Sequence, residues 1–275
     1  MNVAMTGKII TMGGNVEISP TEPLFKEFFN ISQLISDGQP TIGIIPTPSA
    51  EPFESGKIYS RLFNDIGANT IVLNPEDRQE ANSGRILDDV EKAHSFFITG
   101  GNQLRITGLL AGTDTVRMIK KKFQQGALVG GTSAGAVCLT NIMIFEGSIK
   151  RHFYKGEVDL TQGLGFIDEV VIDTHFAERG RFPRLIQVVS ENPGILGIGL
   201  GEKTGAVWDF DKIEFEVIGS GNVVAIEGRH LTKTNIPELE VGDNMSVSGI
   251  RVHVLGHGSR FQYEKCDLYL PEDED

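Results

Sequence analysis

Over the first 200 residues, short β-branched apolar runs alternate with longer stretches whose apolar residues recur every three to four positions. The runs at 8–12, 41–45, 69–73, 95–99, 127–130, 170–172 and 195–200 predict strands. Between them, Phe25, Phe28 and Ile35 mark a helix closed by Gly38. Tyr59, Leu62, Phe63 and Ile66 mark a second before Gly67, and Val116, Ile119 and Phe123 a third after the cap candidate Thr113. Such aromatic stripes read as core. Strand and helix in alternation predict an α/β fold, a doubly wound, mostly parallel sheet with helices on both faces. After about residue 205 the rhythm shortens to period two. Segments 206–208, 213–218, 223–226, 246–253 and 260–263 predict an antiparallel β extension on the same core. No linker composition separates it, so one domain over 1–275 is expected.

Composition is that of an ordinary globular chain, with 40% hydrophobic and 23% charged residues. The net charge of −12 argues against nucleic acid, which asks for a basic footprint. The one basic run, Lys120-Lys121-Lys122, suits the last turn of a helix, where cations complement the dipole. The acidic tail Glu272 to Asp275 reads as a solvated end. No apolar run nears the roughly 20 residues of a membrane span. No leader is read at the N-terminus. The two cysteines, Cys138 and Cys266, form no framework, and cytoplasmic residence with free thiols is expected.

The chemistry gathers in three clusters. The strand at 127–130 runs into Gly-Gly-Thr-Ser-Ala-Gly-Ala, 130–136, followed by an apolar helix pattern. Glycines two places either side of a serine at a strand tip form the Gly-x-Ser-x-Gly nucleophile elbow. The second cluster is Asp173-Thr174-His175 at a strand end, then Arg179, Arg181 and Arg184. His175 is the best general base of the six histidines. An extended strand would put Asp173 and His175 on one face. A helix from near Gly180 would put Arg181 and Arg184 on one face, suited to grip carboxylates. The third cluster ends a strand in Gly100-Gly101 and opens a helix with Asn102 and Gln103. Its backbone could complete an oxyanion hole begun by the Ala134 N–H, and Gln103 could hold a polar substrate group. No His, Cys or carboxylate spacing suggests a zinc site.

Together these clusters resemble the cyanophycinase family of serine peptidases, relatives of the aspartyl dipeptidases. The matching pieces are 99–104, 130–136, Gly163-Leu-Gly-Phe166, 173–181 with Arg184-Leu185, and Gly197-Ile-Gly-Leu-Gly-Glu202. Two β segments, 215–221 and 246–253, match as well. The resemblance implies a class I glutamine amidotransferase-like fold with serine for cysteine at the elbow. It implies a homodimer that needs no metal or cofactor. The implied activity releases β-aspartyl-arginine from cyanophycin, a poly-aspartate backbone carrying arginine on each side-chain carboxyl. An aspartyl dipeptidase or isopeptidase, or a non-catalytic relative that binds a small anion at the elbow, are the alternatives. Carried over, Ser133 is the nucleophile and His175 the base. Gly101 and Ala134 supply oxyanion donors. Gln103, Asp173, Thr174, Arg179, Arg181 and Arg184 line the pocket. Family members often have Gln where this chain has Thr174. No motif identifies the acid that orients His175: Glu146 in the loop after the elbow is preferred, Glu202 is the alternative, and Glu157 or Asp159 come last.

Overall fold

The computed structural model describes residues 7–36, 38–147 and 153–273. His152, part of the N-terminal stretch read for a leader and the last two residues of the acidic tail lie outside them. Five strands come first: β1 (Lys8–Met12), β2 (Thr41–Ile45), β3 (Asn69–Val72), β4 (Ser95–Ile98) and β5 (Leu128–Thr132). They run parallel in the order β1-β5-β4-β2-β3. Helices α1 (Pro23–Ser36), α2 (Pro52–Ile66), α3 (Gly84–Lys92), α4 (Gln103–Leu110) and α5 (Asp114–Gln124) connect them. Side-chain alternation divides each strand between two faces. Ile10, Ile42, Ile44, Phe97 and Leu128 pack with Phe25, Phe28, Leu62 and Phe63 of α1 and α2. Ile9, Ile45, Phe96, Ile98 and Val129 pack on the other face with Ile86, Ile106, Val116, Ile119 and Phe123. The aromatic stripes are thus core, and the helices cover both faces.

The local signals act as their chemistry dictates. Proline opens α1 and α2, where its missing N–H costs nothing. Gly67 closes α2 at φ 118°. The helix after the elbow is shorter than its apolar pattern suggests: α6 (Ala134–Val137) is a single turn. Leu164 N–H and Phe166 N–H take the carbonyls of Cys138 and Leu139, so a returning segment satisfies that end and stops the helix.

The hairpin β6 (Ile142–Gly147) and β7 (Val158–Gln162) follows, then β8 (Val170–Thr174), α7 (Phe182–Glu191) and β9 (Leu196–Leu200). The remaining strands are β10 (Thr204–Asp209), β11 (Glu214–Gly219), β12 (Val223–Glu227), β13 (Lys233–Thr234), β14 (Val247–Ser248), β15 (Arg251–Leu255), β16 (Arg260–Gln262) and β17 (Asp267–Tyr269). The expected extension divides between two sheets. Strands β10, β11, β16 and β17 continue the central sheet antiparallel beyond β1, making nine strands. Strands β12 and β15 pair instead with β9 and β8 in a second, four-stranded sheet. One face of that sheet, with Ile172, Ile198 and Ala225, joins the core that holds Trp208 and Phe215 of the central sheet. Helix α7 covers the other face, Leu185, Val188 and Val189 meeting Val171, Val224 and Ile226. Among the described residues, no helix is long and apolar enough to cross a membrane.

Candidate active site

Ser133 stands between β5 and α6 with φ 52° and ψ −117°, a backbone region that costs a non-glycine residue about 1–3 kcal/mol. The strain is held by packing. A methyl group at Gly135 would lie 2.3 Å from the Ile98 carbonyl oxygen, so only glycine lets the turn press against β4. Ser133 N–H donates to Met12 O at 2.9 Å, which ties the elbow to the end of β1.

His175 follows β8 and also has positive φ, 49°. The strand alternation therefore ends at Thr174, and the expectation that Asp173 and His175 share a face fails. His175 turns to the elbow, where its Nε2 lies 3.1 Å from Ser133 Oγ. Its Nδ1 lies 2.7 Å from Glu202 Oε1. With the proton on Nδ1, the ring donates to Glu202 and leaves Nε2 to accept from the serine hydroxyl. Both ring nitrogens are then occupied, so the preferred acid Glu146 has no place at the imidazole. Glu146 is exposed on the β6–β7 hairpin, across from Asp159. Glu157 precedes β7 on the same hairpin. Glu202 instead sits where the chain leaves β9 in the second sheet for β10 in the central sheet.

The loop after β1 went unnoticed in the sequence, yet it holds all three residues. Met12 O accepts from Ser133, Gly13 O accepts from His175 N–H at 2.9 Å, and Asn15 Nδ2 donates to Glu202 Oε2 at 2.6 Å. A methyl at Gly14 would fall 2.4 Å from His175 Nε2, so this glycine is the space the imidazole uses. Glu178 Oε1 accepts from Glu202 N–H at 3.2 Å. The Glu202 carboxyl is held below the ordinary carboxylate range, first by the hydrogen bond from His175 and then by that from Asn15. The one signal in the sequence was Gly13-Gly14-Asn15 at a strand end.

The Gly100–Gly101 loop lies beside the elbow: a methyl at Gly100 would sit 3.5 Å from Ser133 Cβ. Among the described residues' hydrogen bonds, neither Gly101 N–H nor Ala134 N–H has an acceptor. Both are left unbonded beside the elbow. Gln103 spends its amide N–H groups on Ile144 O and Phe145 O, at 3.0 and 3.2 Å, and so holds β6 to α4. Only its carbonyl oxygen is left for a substrate.

The charged pocket lining is largely internal, which corrects the sequence expectation. Asp173 is 1% exposed and Arg184 9%. Arg184 donates to both Asp173 oxygens through Nε and Nη2. Arg181 stands at the N-cap position of α7, with Nη1 3.0 Å from Asp173 Oδ1 and 2.6 Å from Thr174 O. Arg181 and Arg184 do converge, but on Asp173. Buried Thr174 donates its N–H to the same carboxylate. A charge pair this deep holds α7 against β8 and leaves no carboxylate for a substrate cation. Arg179 is exposed and close enough to help lower the Glu202 pKa.

The sequence profile of peptidase family S51 matches residues 9–214. The cyanophycinase of Geminocystis herdmanii is 39% identical over 222 residues, spanning 80% of this chain and 81% of its own. The cyanophycinase of Trichormus variabilis is 36% identical over 230 residues, 82% of this chain and 77% of its own. A solved peptidase from an acI-B1 actinobacterium shares the fold at TM-score 0.66 and 20% identity, covering 92% of this chain and 98% of its own. A putative peptidase E from Listeria monocytogenes aligns at TM-score 0.51 and 17% identity, covering 78% and 98%. The profile spans the elbow, the strand-end histidine and the glutamate at the sheet crossing, and the relatives match over most of both chains: the protein belongs to peptidase family S51.

Proposed function

We propose that this peptidase hydrolyses aspartyl peptide bonds in cyanophycin, releasing β-aspartyl-arginine, with Ser133, His175 and Glu202 as its catalytic residues. The observation that carries the reading is the continuous line from Ser133 Oγ to His175 to Glu202, at 3.1 and 2.7 Å. Ser133 Oγ attacks the amide carbonyl, and its proton passes to His175 Nε2. Glu202 steadies the imidazolium through Nδ1–H. The oxyanion takes the N–H groups of Gly101 and Ala134, each worth about 3 kcal/mol in measured oxyanion holes. The imidazolium then protonates the leaving amine, and water hydrolyses the acyl-enzyme by the same route reversed. Arg179, exposed at the mouth, takes a substrate carboxylate. The protein is a cytoplasmic homodimer on this reading. The two thiols are free. The outermost strands β15 and β17 expose Val252, Val254, Leu268 and Tyr269, apolar edges suited to a second copy. A small aspartyl dipeptide is the second reading, carried by Thr174 in the place where family members often have Gln.

The test is incubation of the purified chain with cyanophycin and with a panel of aspartyl dipeptides. Release of β-aspartyl-arginine from the polymer supports the first reading, and turnover of dipeptides alone supports the second. Ser133→Ala should cut turnover by about 10⁶-fold, as loss of the serine does in other serine peptidases. Turnover that survives the substitution sinks the mechanism.

A further inference from the structure

At the opposite end of the second sheet from His175 and Glu202 lies a group of side chains that hydrolysis does not use. Glu227 ends β12 and pairs with Leu196, the first residue of β9, whereas the active-site end is Leu200. The separation is about 13 Å at the usual strand rise. Glu227 is 2% exposed, and its Oε1 has no hydrogen-bond partner. His253 of β15 lies diagonally across the ladder on the same face. Its buried Nε2 also has none, and it lies 3.9 Å from Glu227 Oε1. Cys266, in the turn between β16 and β17 of the central sheet, completes the group. Glu227 oxygen, His253 nitrogen and Cys266 sulfur all lie within 4.8 Å of one another.

We propose that Glu227, His253 and Cys266 form a binding site for a zinc-type transition-metal ion that ties the second sheet to the central one. Carboxylate oxygen, imidazole nitrogen and thiolate sulfur are the ligand types zinc takes. Metal–ligand bonds of about 2.0–2.3 Å set neighbouring ligand atoms about 3.5 Å apart, so the three need close by no more than roughly an ångström. The two orphaned atoms, one on each strand, are the ones a metal would satisfy. Neither makes a hydrogen bond, and the cationic groups around Glu227 Oε1 stand back at 3.5 to 3.9 Å.

The neighbouring charges fit around such an ion. Arg229 holds the other Glu227 oxygen, Oε2, at 3.3 Å, and donates to Cys266 Sγ and to the carbonyls of Tyr263 and Glu264. A ligating thiolate and carboxylate still accept such bonds from an outer shell, which orients them. His230 Nε2, on an exposed side chain, lies 3.9 Å from Glu227 Oε1, outside the group of three, and could turn to a fourth position. Arg251 Nη1 approaches the same oxygen at 3.5 Å from an exposed side chain, which is free to turn outward. Asp168, Glu169 and Glu264 line a small cavity of about 100 Å³ beside Glu227 and Arg229 and offset the positive charge. The three ligands come from positions 227, 253 and 266, with no zinc-like spacing in the sequence.

The experiment titrates Co²⁺ and then Zn²⁺ into the metal-free full chain. One tetrahedral Co²⁺ with a thiolate charge-transfer band is expected, displaced by Zn²⁺, together with a rise in Tm. Cys266→Ser should abolish the band; Cys138, the other thiol, is fully buried at the C-cap of α6. His253→Gln should weaken binding by more than the ~10–100-fold that loss of an outer partner costs. A circular dichroism spectrum matching wild type verifies folding of the variants. No saturable binding, an octahedral spectrum without the thiolate band, or a band that survives Cys266→Ser would each overturn the site.

Discussion

Glu202 and Glu146 differ by position rather than chemistry. Glu202 meets His175 Nδ1, while Glu146 faces solvent on a hairpin. Glu202→Gln should lower kcat by about 10⁴-fold, the size seen when a triad acid loses its charge, and Glu146→Gln should leave kcat near wild type. Steady-state kinetics on both variants decide between the acids, and the reverse result would return Glu146 to the site. Asn15 acts one step further out, through Glu202. Its hydrogen bond is one of two that depress the Glu202 pKa. Asn15→Ala removes that bond, so the carboxyl titrates at a higher pH than before. On acidification His175 then loses its anionic partner earlier. The acid limb of the kcat/KM profile should move to higher pH, with the alkaline limb unchanged. An acid limb that stays in place would mean Asn15 does not position Glu202.

At the scale of elements, the contact between β8 and α7 is an ion cluster. Asp173, at the end of β8, binds Arg184 of α7 and the Arg181 cap. Removing one partner of a buried pair leaves the other charge uncompensated, at about 3–5 kcal/mol. Asp173→Asn should therefore lower stability by about 3 kcal/mol in urea unfolding. A substrate-binding Asp173 would instead raise KM and leave the unfolding midpoint unmoved. The same contact sets where α7 starts, and hence where exposed Arg179 stands relative to the nucleophile. Both arginines were legible in the sequence as a pair on one helix turn. Their shared partner was not, because i, i+3 spacing tells which side chains are neighbours and nothing of what the helix is laid against.

At the scale of the molecule, the proposed triad is assembled across two sheets. Ser133 comes from β5 of the central sheet, and His175 and Glu202 from β8 and β9 of the second. The end of β1 and the loop after it accept backbone bonds from Ser133 and His175 and donate one, from Asn15, to Glu202. Strand β12 pairs with β9 along five residues, from Val223 with Leu200 to Glu227 with Leu196, and so supports the strand that delivers Glu202. The C-terminal strands therefore support the proposed site, although the family profile stops at residue 214. A chain cut after Asp209 would expose the inner face of the second sheet and the β10 edge. It should fail to give the cooperative thermal transition of the full chain in circular dichroism. A cooperative, active fragment would refute this dependence.

Local physical chemistry is strong enough to be read from the chain alone. Alternating and three-to-four-residue apolar patterns fix strands and helices because each element must bury one face. Gly-x-Ser-x-Gly marks Ser133, since few other residues tolerate that turn. His175 stands out at the end of an apolar strand. What depended on tertiary structure were the relations between distant segments. These include the division of strands between two sheets, the choice of Glu202, and the turning inward of Asp173 onto its arginines. The role of Asn15 and the meeting of Glu227, His253 and Cys266 belong with them. Each rests on which strand lies beside which and on which face a side chain leaves. A one-residue change of backbone conformation, as at His175, is enough to reverse that face.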